Sequence, residues 1–411
     1  MTTSTRQRRP KGSGSLRHLG GNRWQVTVNV RGKRLSRVFH ARNATEANRA
    51  ADAVRIELQA ARESLTDTKD VERERRQAWT VERYIAYYFA EWAPYHLANT
   101  TRERYSQITK NQVIPRLGKM RMSEVTPADL TAMYAVLGAK GSRRYGGTLS
   151  GQTIWTVHSV VRAIFTFAVD IQGDFETSPA SSKAARPNVD RTGRARRALD
   201  VSEVEQFVAL ARAQAPDIAV PIMLAAYLGT RRGETLALRW SDLDLQKCEL
   251  TVSRSVTQTT AEGVTVKSTK TGKKRTIPLD AHTVGELKTI QRAQREQRLR
   301  LGPEGWRGAA SPAEDYIAAT PVGEVIEPDF FANSFRTLTK QNKLTHITPH
   351  VLRHAWVSQM IALGFDAVTI ATMTGHSPDV LMRTYAHAFD RRKREAVNAL
   401  GEARNAARVH G

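Results

Sequence analysis

A single cysteine, Cys248, stands in 411 residues, which excludes an intramolecular disulfide and any multi-cysteine zinc site and fits a reducing compartment. Long apolar runs are missing too: no stretch is read as approaching the ~18 residues that a membrane span needs, and no apolar signal core follows the start. The expectation is a soluble, unsecreted, cytoplasmic protein with no membrane partner. Acidic residues are also scarce, with 40 Asp+Glu facing 63 Lys+Arg for a formal net charge of +23. That excess favours a polyanion over a small neutral substrate, and nucleic acid first. The length suits two or three domains.

Basic charge is concentrated at the front, where residues 1–64 hold 14 Lys/Arg against 4 Asp/Glu, a net +10. A basic arm, "TRQRRPKGSGS", precedes Trp24, Val26, Val28 and Val30 in the strand period. After an "RGKR" turn, Leu35, Val38 and Phe39 suggest a returning strand, and "NATEANRAADAVRIELQAARES" reads as a helix. The result is a small α+β domain, a three-stranded sheet plus helix, over residues 1–64. A solvated face would account for Arg23, Arg31, Lys33, Arg34 and Arg37, but so many cations on so small a fold favour a DNA-contacting sheet.

The polar run "LTDTKDVERERRQ", residues 65–77, reads as a linker or a helix extension. Residues 78–180 then turn helical, with starts at Thr80, Thr101, Thr126 and Ser150. Ile154, Val157, Val161, Ile164, Phe165 and Ala168 make one apolar stripe, which is core rather than function. The Pro-, Ser- and Arg-rich stretch that follows has no period, so residues 181–199 read as an interdomain connection.

From residue 200 to 411 a mainly α domain with a small antiparallel sheet is expected. Ser202 and Glu205 spell a capping box, and "IAVPIMLAAYLGT" is too apolar for a surface helix. Arg231 and Glu234, three apart, are either an ordinary salt bridge or a carboxylate orienting an arginine towards an anion. "ELTVSRSVTQ", "GVTVKST" and "KRTIPL" read as a hairpin-like sheet. At its "KTGKK" tip, Lys270, Lys273 and Lys274 are either solvated turn lysines or groups reaching a DNA groove. Histidine then clusters: His346, His350, His354, His376 and His387 fall within 42 residues, out of eleven in the chain. Ser377, Pro378 and Asp379 open a fresh helix that carries Tyr385, alone more often a core residue than a nucleophile.

The segments "LGTRRGE", "KSTKTGKKRTIPL", "HVLRH" and "MTGHSPDVLMRTYAH" occur in the order and at the spacing of the tyrosine site-specific recombinases, and the chain resembles a phage-type integrase. The resemblance implies a multidomain protein: an arm-type DNA-binding domain, an all-α core-binding domain and a catalytic domain. It implies Arg231, Lys270, His350, Arg353 and His376 around the nucleophile Tyr385, and Glu234 would then hold Arg231 in place. It also implies a DNA strand transferase that integrates and excises a phage or mobile element through a 3′-phosphotyrosyl intermediate, with no cofactor and no metal. Its partners would be double-stranded DNA at core-type and arm-type sites and its own copies in a tetramer, in a bacterial host cytoplasm. A host DNA-bending protein and an excision factor commonly accompany such integrases.

The chemistry calls for these residue types. A phosphodiester attacked by a phenol gains negative charge on its non-bridging oxygens, which two permanently charged guanidiniums suit. A phenol of pKa about 10 needs a base or a strongly positive site, which His350 and the arginines could supply. Lys270 is then available to protonate the leaving 5′-oxygen. His354 stays divided between support of the site and a satisfied core histidine. A zinc hydrolase needs Glu after the first histidine, where this chain has Val351. A non-catalytic DNA-binding protein leaves the nucleophile, base and arginines unexplained. A type IB-like topoisomerase or a resolvase shares the chemistry, but the arm-type domain argues against a relaxing monomer.

Overall fold

The alternation of Trp24, Val26 and Val28 becomes the middle of a three-stranded antiparallel sheet, β1 (Ser15–Gly20), β2 (Arg23–Val30) and β3 (Lys33–His40). The computed structural model describes residues 15–30, 33–140, 148–190, 198–269 and 272–409. The chain divides into two units, Met1–Arg191 and Thr192–Gly411.

In the first unit, Val26 and Val28 are buried against α1 (Ala44–Gln77), whose start is capped by the Asn43 side chain on Glu46 N–H at 2.9 Å. Cross-strand partners share a face. Arg17 pairs with Gln25, Arg23 with His40 and Arg34 with Asn29, so these three arginines lie on the open face. Arg37 does not join them. It pairs with the buried Val26, and its guanidinium lies 2.6 Å from Glu57 of α1. Arg37, expected among the DNA-contacting residues, thus stands on the helix side of the sheet, and Arg17 is a further arginine on the open face. Arg31 lies outside the described residues, as does the side chain of Lys33.

Residues 65–77, read as linker or helix extension, are helix: α1 runs unbroken through 34 residues. Its end is pinned by Asp174, which is 0 % exposed. The Asp174 carboxylate accepts from Arg76 Nε at 2.7 Å and Nη2 at 2.9 Å and from the Tyr84 hydroxyl at 2.6 Å. Removing one member of a buried ion pair strands the other, at a cost of about 3 kcal/mol or more. Asp174→Ala is therefore expected to lower the denaturation midpoint of this unit, read by urea unfolding, while Glu72→Ala, at the exposed i,i+4 partner of the same arginine, changes it little.

The remaining helices are α2 (Val81–Tyr87), α3 (Ala93–His96), α4 (Asn99–Ile108), α5 (Ile114–Leu117), α6 (Pro127–Lys140) and α7 (Gly151–Thr166). Thr80, Thr126 and Ser150 stand at helix starts with their side-chain oxygens on N–H groups three residues on. Thr101 does not, because α4 already begins at Asn99. Pro94 and Pro115 lack the N–H that would continue an i→i−4 ladder, and each follows a π turn, Tyr88–Trp92 and Thr109–Val113. All six residues of the apolar stripe on α7 and its π-helical continuation are buried. Gly151–Ile171 is in fact long and apolar enough to span a membrane by length and composition, which corrects the expectation that no such run exists. Its stripe is occupied by the domain core. Ala180 and Ala185 are buried on the same core, and Thr131 donates to the Ala184 carbonyl at 3.0 Å. The first part of the expected 181–199 connection thus packs on the helical domain instead of extending freely.

The second unit opens with α8 (Val201–Gln214), α9 (Pro216–Leu228) and α10 (Arg232–Leu236). The capping box is Asp200 with Glu203, two residues before the expected Ser202 and Glu205. Instead of one hairpin-like sheet there are two: β4 (Leu243–Asp244), β5 (Glu249–Val252) and β8 (Arg275–Pro278) in one, and the hairpin β6 (Arg254–Thr259) and β7 (Gly263–Ser268) in the other. The chain leaves the first sheet at Ser253, whose carbonyl is taken by Thr269 N–H. Helices α11 (Ala281–Gly305), α12 (Pro328–Gln341), α13 (Pro349–Ala362), α14 (Ala367–Thr374) and α15 (Pro378–Val409) complete the unit. α13 packs across the almost wholly buried α9.

Candidate active site

Four chain segments converge at the ends of α9, α13 and α14. Helix α9 ends at Gly229, whose left-handed backbone (φ 58°) and close approach to the Trp356 ring, where a Cβ would meet carbon at 2.8 Å, both require glycine. Two residues later Arg231 stands in extended conformation just before α10. Its Nη1 donates to Glu234 at 2.8 Å and its Nη2 to the Gly375 carbonyl at 2.8 Å. Glu234 is 2 % exposed, so this is not the solvated salt bridge that the sequence left open. Burial alone would raise the Glu234 pKa; the hydrogen bond and charge of Arg275, then the N–H and guanidinium of Arg231, hold it below the ordinary carboxyl value.

Arg275, to which the sequence attached no role, donates Nη2 to Glu234 at 2.5 Å and Nε to the Met373 carbonyl at 2.8 Å. It shares the inner face of β8 with buried Ile277, and an arginine in phase with a core residue of a strand is the signal that could have found it.

Helix α13 is capped by Thr348 and carries His350, Arg353 and His354. Val351 and Leu352 are buried as expected, and Arg353 is buried further than expected, at 2 % exposure. Its Nη1 donates to the Gly229 carbonyl at 2.7 Å, and its Nη2 to the Thr374 carbonyl at 2.8 Å and to His376 Nε2 at 3.0 Å. Nε is buried with no partner among the described residues. Burial and the neighbouring Arg231 push the Arg353 pKa down to about 10, still charged at neutral pH. Three guanidiniums around one carboxylate leave excess positive charge in a desolvated place, which is a site for an anion.

His376 follows the left-handed Gly375 (φ 67°). The Thr374 hydroxyl donates to the Ile370 carbonyl at 2.7 Å, so His376 Nδ1, 3.0 Å from the same hydroxyl, carries a proton and Nε2 accepts from Arg353. Here His376 holds Arg353. Burial, followed by the charge of Arg353 and Arg231, lowers its pKa to about 4. An imidazole with a folded pKa below its unfolded value of about 6.5 has native-state stability that is complete above 6.5 and lost as pH falls towards 4. An NMR titration of its ring protons is expected to show a midpoint near 4, clearly apart from that of an ordinary surface histidine.

Tyr385 sits where α15 kinks (φ −114°, ψ 19°), in the sparsely allowed region between helix and strand that active-site residues use. It is 4 % exposed and packs with Val357, Ile361, Ile370 and Leu381. Burial pushes its pKa up to about 12, against the pull of Arg353. Its hydroxyl lies 2.6 Å from His354 Nδ1. The Tyr385 hydroxyl thus meets the histidine left divided between support and core. His350 is exposed, with its ring edge-on to that of His354 at 4.9 Å. Lys273 and Lys274 are exposed in the turn that Gly272 and Thr269 close. Lys270 lies outside the described residues.

The sequence pattern of the phage integrase family matches residues 197–392, and that of the phage integrase N-terminal SAM-like domain matches residues 80–136. A "Tyrosine recombinase XerC-like" protein of Caldanaerobacter subterraneus subsp. tengcongensis is 23 % identical over 269 residues, covering 62 % of this chain and 66 % of that relative, a little under two thirds of its length. The Tn1549 transposon integrase, solved with transposon right end DNA, superposes with TM-score 0.62 at 20 % identity, over 78 % of this chain and 99 % of that one. A lambda integrase tetramer bound to a Holliday junction gives TM-score 0.53 at 17 % identity, over 90 % and 97 %. At such identities the structural likeness shows the fold, that of the multidomain integrases. With both patterns matched in order along more than half of its length, the chain belongs to the phage integrase family.

Proposed function

We propose that this protein is a site-specific DNA recombinase, an integrase that cuts and rejoins DNA through a 3′-phosphotyrosyl intermediate. The observation that carries this reading is the buried Tyr385 hydroxyl on His354, one residue along α13 from a buried arginine whose surroundings favour an anion. The Tyr385 oxygen attacks phosphorus and the DNA 5′-oxygen leaves. Arg231 and Arg353 donate to the non-bridging oxygens as their charge grows, a task that permanently charged forks held in place by their partners perform with little reorganisation. Glu234, shared by Arg231 and Arg275, fixes the direction of the first fork. Lys270 protonates the leaving oxygen. Attack by the 5′-hydroxyl of another strand reverses the step, so the phosphoester energy is conserved and neither ATP nor a metal is consumed.

The arm-type domain over residues 1–64 would bind DNA through Arg17, Arg23 and Arg34 on the open sheet face, and residues 78–180 would grip the core site. Val397 and Leu400 on α15 are exposed apolar residues, 70 % and 53 % accessible, which suits docking of this tail on a neighbouring copy in a tetramer, the assembly named for the lambda structure. The site of action is DNA in the cytoplasm of a bacterial host. A zinc hydrolase is disfavoured because His354 Nδ1 is already engaged by Tyr385. The test is recombination between plasmids carrying the DNA that flanks the gene: strand exchange that persists in EDTA supports the reading, and exchange that requires Mg²⁺ contradicts it.

A further inference from the structure

We propose that His354 is the general base of strand cleavage, its Nδ1 taking the proton of Tyr385 as the phenol attacks phosphorus. The inference rests on the recombinase reading and names the proton acceptor within that site. The hydroxyl and Nδ1 are 2.6 Å apart, with ring centroids at 5.0 Å, inside the range a base must occupy before geometry rather than acidity becomes limiting. Other groups near the nucleophile are less suited to receive that proton. Arg353 and Arg231 are cations, and their guanidiniums are engaged by Gly229, Thr374, His376, Glu234 and Gly375. His376 is neutral, but its two nitrogens are directed at Thr374 and Arg353. His350 stands on the solvent side with its ring edge-on to His354.

Local structure explains why the task falls to His354. It directly follows Arg353 on α13, so a single rigid turn sets the base beside the arginine that stabilises the developing charge. The kink at Tyr385 aims the phenol at that turn from α15. To accept from the phenol, His354 must be neutral with its proton on Nε2. In the forward step the O–H bond breaks, the proton moves to Nδ1, the Oη–P bond forms, and the P–O5′ bond breaks as Lys270 protonates the 5′-oxygen. In rejoining, the imidazolium returns its proton to the departing phenolate, so one residue serves as base and then acid.

The test uses the full-length protein and a nicked suicide substrate built on its recombination site, with single-turnover cleavage followed from pH 5 to 9. His354→Asn keeps an acceptor oxygen close to the position of Nδ1 but cannot take a proton. The expected result is a loss of roughly a hundred- to ten-thousandfold in cleavage rate for both His354→Asn and His354→Ala, with unchanged gel-shift affinity. The acid limb of the wild-type profile disappears in both, and added imidazole partly restores the alanine variant. The charged and titratable groups facing this ring are His350 on α13, Tyr385 on α15 and the Arg353–His376 pair, so His350→Ala is run beside them and is expected to keep the acid limb. A wild-type rate or an unaltered acid limb in His354→Asn overturns the assignment, because an acceptor that only positions the phenol would then suffice. Wild-type protein that forms no adduct with this DNA would overturn the recombinase reading itself, a failure distinct from that of the variant.

Discussion

Replacing Tyr385 with phenylalanine is expected to abolish covalent attachment to DNA, a loss of more than roughly 10⁴-fold in single-turnover cleavage, while binding to the same DNA is retained. The effect is large because a transesterification routed through an enzyme oxygen has no substitute for that atom. The structure also says why the protein survives the change. The ring of Tyr385 fills a small cluster with Val357, Ile361, Ile370 and Leu381, which phenylalanine fills equally well. Only the hydrogen bond to His354 is lost, worth about 1 kcal/mol of stability. A denaturation curve beside the gel-shift and cleavage assays separates the two effects, and a variant with undiminished cleavage would remove Tyr385 from the mechanism.

Arg353→Met is also expected to lower activity steeply, by about 10²–10³-fold in cleavage for one lost donor to the transition-state oxygens. Its effect on stability should be much smaller than the burial of so large a side chain suggests. In the native state this guanidinium is desolvated beside Arg231 and Arg275, which lowers its pKa. Removing it relieves that cost while depriving the Gly229 and Thr374 carbonyls of a donor. The two terms oppose, and the net change in unfolding free energy is expected within about 2 kcal/mol of zero. A polyanion mimic supplies the complementary readout. Inorganic phosphate should raise the melting temperature of the wild type by binding the folded state only, and raise that of Arg353→Met less. A variant that cleaves normally, or one that unfolds without losing the phosphate response, would contradict this assignment.

Much of this site could be read from residues spaced along the chain because its chemistry uses few side-chain types in fixed local patterns. The pairing of Arg231 with Glu234 across a helix start and the i,i+3 spacing of His350 and Arg353 within α13 are local facts of helix geometry. So is the helix start at Ser377–Pro378–Asp379, where the serine oxygen does accept from Val380 N–H. Distance along the chain limited the rest. Helical spacing puts His350 and His354 on one face, but which of them meets the Tyr385 hydroxyl depends on a kink 31 residues further on. The acidic, basic and polar composition of residues 65–77 carries little apolar period, so the run resembles a linker; it is helix because its last turn is fastened to Asp174, 98 residues away. Arg37 illustrates the same limit within a sheet, since its register against Val26 fixes its side. At the start of α8, D-x-x-E and S-x-x-E overlap by two residues, and only the hydrogen bonds decide for Asp200.

The account stands most directly on one covalent bond. Wild-type protein trapped on a suicide substrate should be digested with protease and nuclease and the adduct mapped by mass spectrometry. The predicted product is the peptide containing Tyr385 esterified to a DNA 3′-phosphate, with a free 5′-hydroxyl on the released strand. An adduct on another residue, a linkage to a 5′-phosphate, or cleavage that leaves no protein on the DNA would contradict it.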